Sequence, residues 1–211
     1  MSQKELENKF KELEDHILEL AIKYIAPHTN PLENPVDYNL DVHSFCILCH
    51  AAFEEFLEDV TLYSVDKIER EFNSKLRKFS FATFCFLHFD EHPLSFNDEK
   101  KWDNTKLNDY LSTRLRERKS ELSKYAIQDN HGIDVKYMRK LLTPIGIDVP
   151  QNAQELASLV ILKNIRGMYA HSFARNKKPL APEDAQNAVF DVFNMVEKIK
   201  NKALSMSYYL I

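Results

Sequence analysis

Apolar residues recur at three- and four-residue intervals along most of this chain, the period of amphipathic helices rather than of strands. Leu6, Phe10, Leu13, Ile17, Leu20, Ala21 and Tyr24 mark a first helix, which Pro27, Pro31 and Pro35 end in an irregular connection. A long second helix is predicted from near Asp41. Phe45, Leu48, Ala52, Phe56, Val60, Tyr63, Lys67 and Phe72 follow steps of three to five, so one face is continuously apolar and this helix should be the centre of the core.

The middle of the chain is less regular. Phe79, Phe81, Phe84, Phe86 and Phe89 are too dense for a solvated face and are expected to be buried, within the fold or against a second chain. Their spacing fits helix and strand equally, which leaves 79–105 undecided. Leu107, Tyr110, Leu111, Leu115 and Leu122 predict a helix that carries the charged run 114–119, a face expected to be solvated. A short helix over 135–142 should stop at Thr143-Pro144. Asn152 with Glu155 three positions on reads as a capping pair that opens a helix running toward His171, and Asn176-Lys177-Lys178-Pro179 should end it. Pro182, Glu183 and Asp184 open the last helix, with Val189, Phe193, Val196, Ile199 and Ala203 as its apolar stripe. The pattern predicts an all-α, single-domain helical bundle over 1–211. It should have an up-down core and a helical or irregular insertion in the middle.

Composition agrees. Only 3 glycines occur in 211 residues, too few for the tight turns of an all-β fold or for a glycine-rich phosphate loop. No apolar run approaches the roughly 20 residues that span a bilayer, and the charged first residues lack the apolar stretch of a secretion signal. The three cysteines, Cys46, Cys49 and Cys85, are odd in number and sit in apolar segments, which suits a reducing cytoplasm. Cys46-Ile47-Leu48-Cys49-His50 matches a haem-attachment spacing, but it lies mid-helix among core positions. No second pair has metal-site spacing, so neither a metal nor a cofactor is expected.

Charge changes the picture more. The net charge is −4, yet residues 1–60 hold 4 Lys/Arg against 13 Asp/Glu, so the remainder is net positive. An anionic partner would approach the C-terminal part. From Lys163 to Lys178 there are Lys163, Arg166, Arg175, Lys177 and Lys178 and no acidic residue. Within that stretch Arg166 and His171 pair a permanent cation with a group that titrates near pH 6.5, a combination suited to phosphate chemistry. On one ideal helix they are separated by about 7.5 Å of rise and roughly 140° of rotation. Two helices related by a dimer axis could bring both to one cleft. The plainer reading is a histidine favoured by a helix C-terminus and an arginine paired with a buried carboxylate.

Arg166-Gly167-Met168-Tyr169-Ala170-His171-Ser172 resembles the Arg-x4-His signature of the HEPN superfamily of helical ribonucleases. His50-Ala51-Ala52-Phe53-Glu54-Glu55-Phe56-Leu57 is similar to the helix that precedes that signature, and Leu141–Asp148 resembles its approach segment. The branch it most resembles is RiboL-PSP-HEPN. The resemblance implies metal-independent RNA cleavage by a homodimer, with Arg166 and His171 as catalytic residues and Glu54 as the carboxylate beside Arg166. Lys163, Arg175, Lys177 and Lys178 would bind RNA. It also implies a toxin or antiviral defence role, with an inhibitory antitoxin-type protein as a partner. One position departs: the family usually carries a polar residue directly after the arginine, and here it is Gly167. Three readings therefore stay open: an active endoribonuclease, a non-catalytic HEPN-like dimer that binds RNA, nucleotide or a protein, and a purely structural helical module of a larger complex. Gly167 is expected to be kept for close packing where two motif helices meet.

Overall fold

A computed structural model describes residues 1–30, 32–74, 79–88, 104–129, 132–171 and 179–206; for 170 and 171 it describes the helical backbone only. Seven α-helices occur among them: α1 (Gln3–Tyr24), α2 (Pro35–Phe72), α3 (Phe81–His88), α4 (Asn104–Lys124), α5 (Val135–Leu142), α6 (Ala153–His171) and α7 (Pro182–Leu204). A π-helical turn, Tyr125–Asp129, prolongs α4, and a 3-10 turn, Thr143–Ile145, follows α5. The described residues contain no strand, and none of their helices is long and apolar enough to cross a membrane.

Local chemistry sets the ends. Ser2 and Glu5 form a reciprocal capping box at the start of α1. Helix α2 begins at Pro35, six residues before the expected Asp41. Pro35 occupies the first helical turn, where a missing N–H costs nothing, and the Asn34 side chain accepts a 3.1 Å bond from the Val36 N–H. The proline read as part of the connection is thus the start of the helix. At α6, Asn152 Oδ1 accepts from the N–H groups of Gln154 and Glu155, at 2.9 and 3.1 Å. The expected return bond is replaced, because the buried Glu155 carboxylate pairs with Lys198 of α7.

Helix α2 is the centre of the core. Val42, Phe45, Cys46, Cys49, Phe53, Phe56, Leu57, Val60, Tyr63, Val65, Ile68 and Phe72 are all buried, and they point around most of its circumference. The exposed remainder is a narrow stripe through Leu48, Ala51 and Glu55, so Leu48 leaves the apolar face assigned to it. Helix α1 packs antiparallel, with Lys9 on Asp59 at 2.8 Å and the Phe10 ring 5.4 Å from Phe56. Helices α6 and α7 form a second antiparallel pair, through Ser158 and Gln154 on Asp191, and both lie against α2.

The phenylalanine cluster divides. Within α3, Phe86 is buried, but Phe81 and Phe84 are exposed, which corrects their expected burial within this chain. An eight-residue helix packed on one side must turn part of a dense aromatic run outward, and Phe84 stacks on His88 at 5.3 Å there. Phe89 and the rest of 89–103 lie outside the described residues.

If α2 carries the core, Phe53→Ala should cost about 3–5 kcal/mol, since Phe53 is fully buried. Leu48→Ala, on the exposed stripe, should cost under about 1 kcal/mol. Urea denaturation of both variants checks this; similar losses would contradict it.

Candidate functional site

Three polar side chains of α2 lie toward α6. His43, His50 and Glu54 occupy one stripe of α2, at spacings of seven and four; Lys163, Arg166 and Tyr169 occupy one stripe of α6, at spacings of three. The two stripes meet as a polar seam between helices that are otherwise held by apolar contact.

At its middle, Arg166 Nη2 stands 3.6 Å from Glu54 Oε2. The guanidinium is 41% exposed and the carboxylate 15%, so the anion is the more deeply set partner. His50 is buried beside them, with Nδ1 3.9 Å from the same Glu54 oxygen, beyond hydrogen-bond reach. Gly132 closes the floor. A Cβ built there would lie 3.4 Å from both Arg166 Nη1 and His50 Cε1, and its φ of +135° is one that other residues rarely adopt. Backbone can therefore pass directly under both rings of charge and imidazole.

Burial, and then the nearby Arg166 cation, push the His50 pKa down to about 4. Asp134 acts in the opposite sense and is outweighed. His50 is a neutral imidazole at neutral pH.

The seam continues in both directions. Toward the end of α6, the Tyr169 hydroxyl meets Nδ1 of the buried His43 at 3.1 Å, and the two rings are edge to face. Toward its start, Lys163 Nζ pairs with Asp134 at 2.8 Å. Asp134 also caps α5, accepting from the Tyr137 N–H at 2.8 Å. Burial raises the Asp134 pKa, but Lys163 and the backbone N–H groups outweigh it and hold the carboxyl below its ordinary value.

Of the expected site residues, Arg166, Glu54 and Lys163 come together here. Lys163 is half exposed and already bound to a carboxylate. His171 is the last residue of α6; Arg175, Lys177 and Lys178 lie outside the described residues. Sequence reading passed over His43, His50, Gly132, Asp134 and Tyr169. The signal for two of them was present: histidines seven apart on an apolar face, in phase with Glu54. For Gly132 and Asp134 there was none, because only the tertiary fold brings that connection under Arg166.

At Gly167 a Cβ would meet nothing within 4 Å among the described residues, so the close packing expected of it is not made by that part of its own chain. The cysteines are free and buried, with Cys46 pushed up to about 12 by desolvation, as suits core thiols. A groove of about 600 Å³ lies between the end of α1 and the start of α7, lined by Leu18, Ile22, His28, Tyr38, Pro182 and neighbours. It includes none of the seam residues.

The depressed His50 pKa makes a signed prediction. Between pH 6.5 and 4 the unfolded chain binds a proton at this position that the folded chain refuses, so stability is full above pH 6.5 and falls on acidification. From pH 7.5 to 5, His50 should account for about 2 kcal/mol of lost stability. His50→Gln should flatten the urea midpoint over that range relative to the wild type; parallel curves would place the titration elsewhere.

The comparisons with known proteins agree with this architecture. The family model described as RiboL-PSP-HEPN matches residues 4–205, a span that contains α1 to α7 nearly whole and every residue of the seam. No curated protein and no solved structure matches the sequence. With the match covering almost the whole chain, the protein belongs to the RiboL-PSP-HEPN family.

Proposed function

We propose that this protein is a HEPN-type, metal-independent endoribonuclease acting as a homodimer with a composite Arg166/His171 cleft. The observation that carries this reading is the guanidinium of Arg166, half exposed yet held between Glu54 and the Gly132 backbone, on a helix that continues through His171. A fixed cation open to solvent on one side is what a phosphate requires.

Helical geometry supports the dimer. Because α6 runs unbroken to His171, the rotation of roughly 140° between Arg166 and His171 stands. In the register of α6, position 171 follows Val160, Asn164 and Gly167 on one stripe, whereas Arg166 falls with Lys163 and Tyr169. Val160 is 51% exposed and Gly167 leaves open space, so the stripe of position 171 is free to meet a second copy. Crossing two α6 helices there would set Arg166 of one protomer near His171 of its partner.

The chemistry needs one proton acceptor, one donor and a stabilised phosphorane. A ribose 2′-hydroxyl loses its proton to the imidazole of His171 and attacks the adjacent phosphorus. The bond to the 5′-oxygen breaks, and that oxygen takes a proton from the imidazolium just formed, directly or through water, leaving a 2′,3′-cyclic phosphate, a 5′-hydroxyl and a neutral His171. Arg166 holds the phosphate and balances its developing charge, and Glu54 keeps the guanidinium aimed. Lys163, Arg175, Lys177 and Lys178 attract the strand. A toxin or defence role, restrained by an inhibitory protein partner, goes with this activity. Three free, buried cysteines suit a cytoplasmic setting.

One observation favours a second reading, a dimer that binds without cutting. None of the described residues demands a glycine at 167, yet the polar side chain usual in the family is missing there.

The test is RNA cleavage in EDTA with the product ends analysed. His171→Ala should lower cleavage by about 10²–10⁴ and leave affinity nearly unchanged. Arg166→Ala should weaken binding roughly tenfold or more as well. Gly167→Asn should meet no described residue of its own chain, and a gain in cleavage from it would identify 167 as the limiting position. RNA bound equally by wild type and His171→Ala and cut by neither would favour the binding module. Monomers at micromolar concentration by light scattering would sink the composite cleft.

A further inference from the structure

We infer that α5 is a docking track for a single-stranded RNA backbone, leading into the Arg166 seam. This rests on the nuclease reading above and adds a surface outside the family signature.

Helix α5 is strongly two-sided. Met138, Leu141 and Leu142 are buried, while Lys136, Arg139 and Lys140 are exposed at spacings of three and one, on a single outward face. From 135 to 147 the chain has three cations and no carboxylate. None of the three forms an ion pair with a described residue; Lys140 instead lies over the Tyr125 ring at 5.4 Å.

The other dense basic run, on α4, shows what a solvated charge face looks like in this protein. Arg114 pairs with Glu117 and Arg118 with Glu121, at 2.7 and 2.8 Å, and Lys119 bridges Asp66 and Glu69. Those cations are neutralised where they stand. The cations of α5 are left without such partners, and their field is available to an anion.

Position gives the anion a direction. The cap of α5, Asp134, is held by Lys163, and Gly132, two residues earlier, packs under Arg166 and His50. The cationic face and the half-exposed guanidinium are thus joined through one short connection. Lys136 and Lys140 are about 6 Å apart along the helix axis. That spacing suits successive phosphates of an extended strand. Asp134 and the exposed Asp129 are the acidic groups nearby; Asp134 is neutralised by Lys163, which leaves the net charge of the face positive.

The test is fluorescence anisotropy with a labelled 2′-O-methyl oligoribonucleotide, which cannot be cut, over a salt series. The proteins are wild type, the triple reversal K136E/R139E/K140E, and an equal reversal on α1, K4E/K11E/K23E. The α5 reversal should weaken binding at least tenfold and reduce the salt slope by about 2, as expected for three lost contacts to a single strand. The α1 reversal should change affinity by less than threefold. The neutral set K136Q/R139Q/K140Q should lose the same slope, and it serves if the reversal impairs folding.

Wild-type affinity retained by both α5 variants would overturn the track alone, while a loss with Arg166→Ala would keep the nuclease reading. Equal losses from the α1 and α5 reversals would also overturn it, since net charge alone would then be at work. Wild type that binds phosphatidylserine vesicles and not RNA, or binds neither, would overturn the track and the nuclease reading together.

Discussion

The burial of α2 constrains everything else in this structure. A helix of 38 residues that hides most of its circumference cannot be stabilised by one neighbour, and α1, α6, α7, α4 and α5 are arranged around it. Desolvated apolar area on that scale outweighs any single polar contact. It also sets a strict condition: whatever polar group α2 carries inward must find its counterpart on the surrounding helices.

The seam with α6 meets part of that condition, while His50 Nδ1 is buried without a hydrogen-bond partner. Glu54 faces Arg166, and His43 faces Tyr169. His50 is accommodated by being neutral, since both its burial and the Arg166 cation disfavour the protonated ring. A neutral imidazole beside the guanidinium adds no second positive charge to that of Arg166, which pairs with Glu54. The same packing that makes α6 adhere to α2 therefore anchors a cation whose side chain remains 41% exposed. Stability and candidate chemistry share these residues, so substitutions here change both.

Electrostatics are divided along the chain and again by its neighbours in space. The acidic first sixty residues hold part of their charge in pairs such as Lys9–Asp59, and the basic run of α4 is neutralised largely by Asp66, Glu69, Glu117 and Glu121. Sequence charge alone overstates what an approaching anion would sense. Among the described residues, the outer face of α5 is one cationic surface that pairing leaves in place.

The sequence by itself determined the helical class, because a period near 3.6 in apolar residues and a scarcity of glycine admit little else. It also determined several element ends, since Asn152 caps through its own side chain and Pro182 through its fixed φ. The partnership of Glu54 with Arg166 was proposed from family resemblance, and the fold sets them 3.6 Å apart. Pro35 serves equally as a loop residue or a first helical residue, and the adjacent Asn34 cap, a local signal, decides. Where the reading failed elsewhere, the cause lay outside local pattern. Phe81 and Phe84 look like core, but which side of a short helix is covered depends on what packs against it. Gly132 under Arg166, the neutral state of His50 and the pairing of Lys163 with Asp134 join residues 29 to 116 positions apart in the chain. Only the tertiary structure decided those, because burial and charge proximity are properties of neighbours in space.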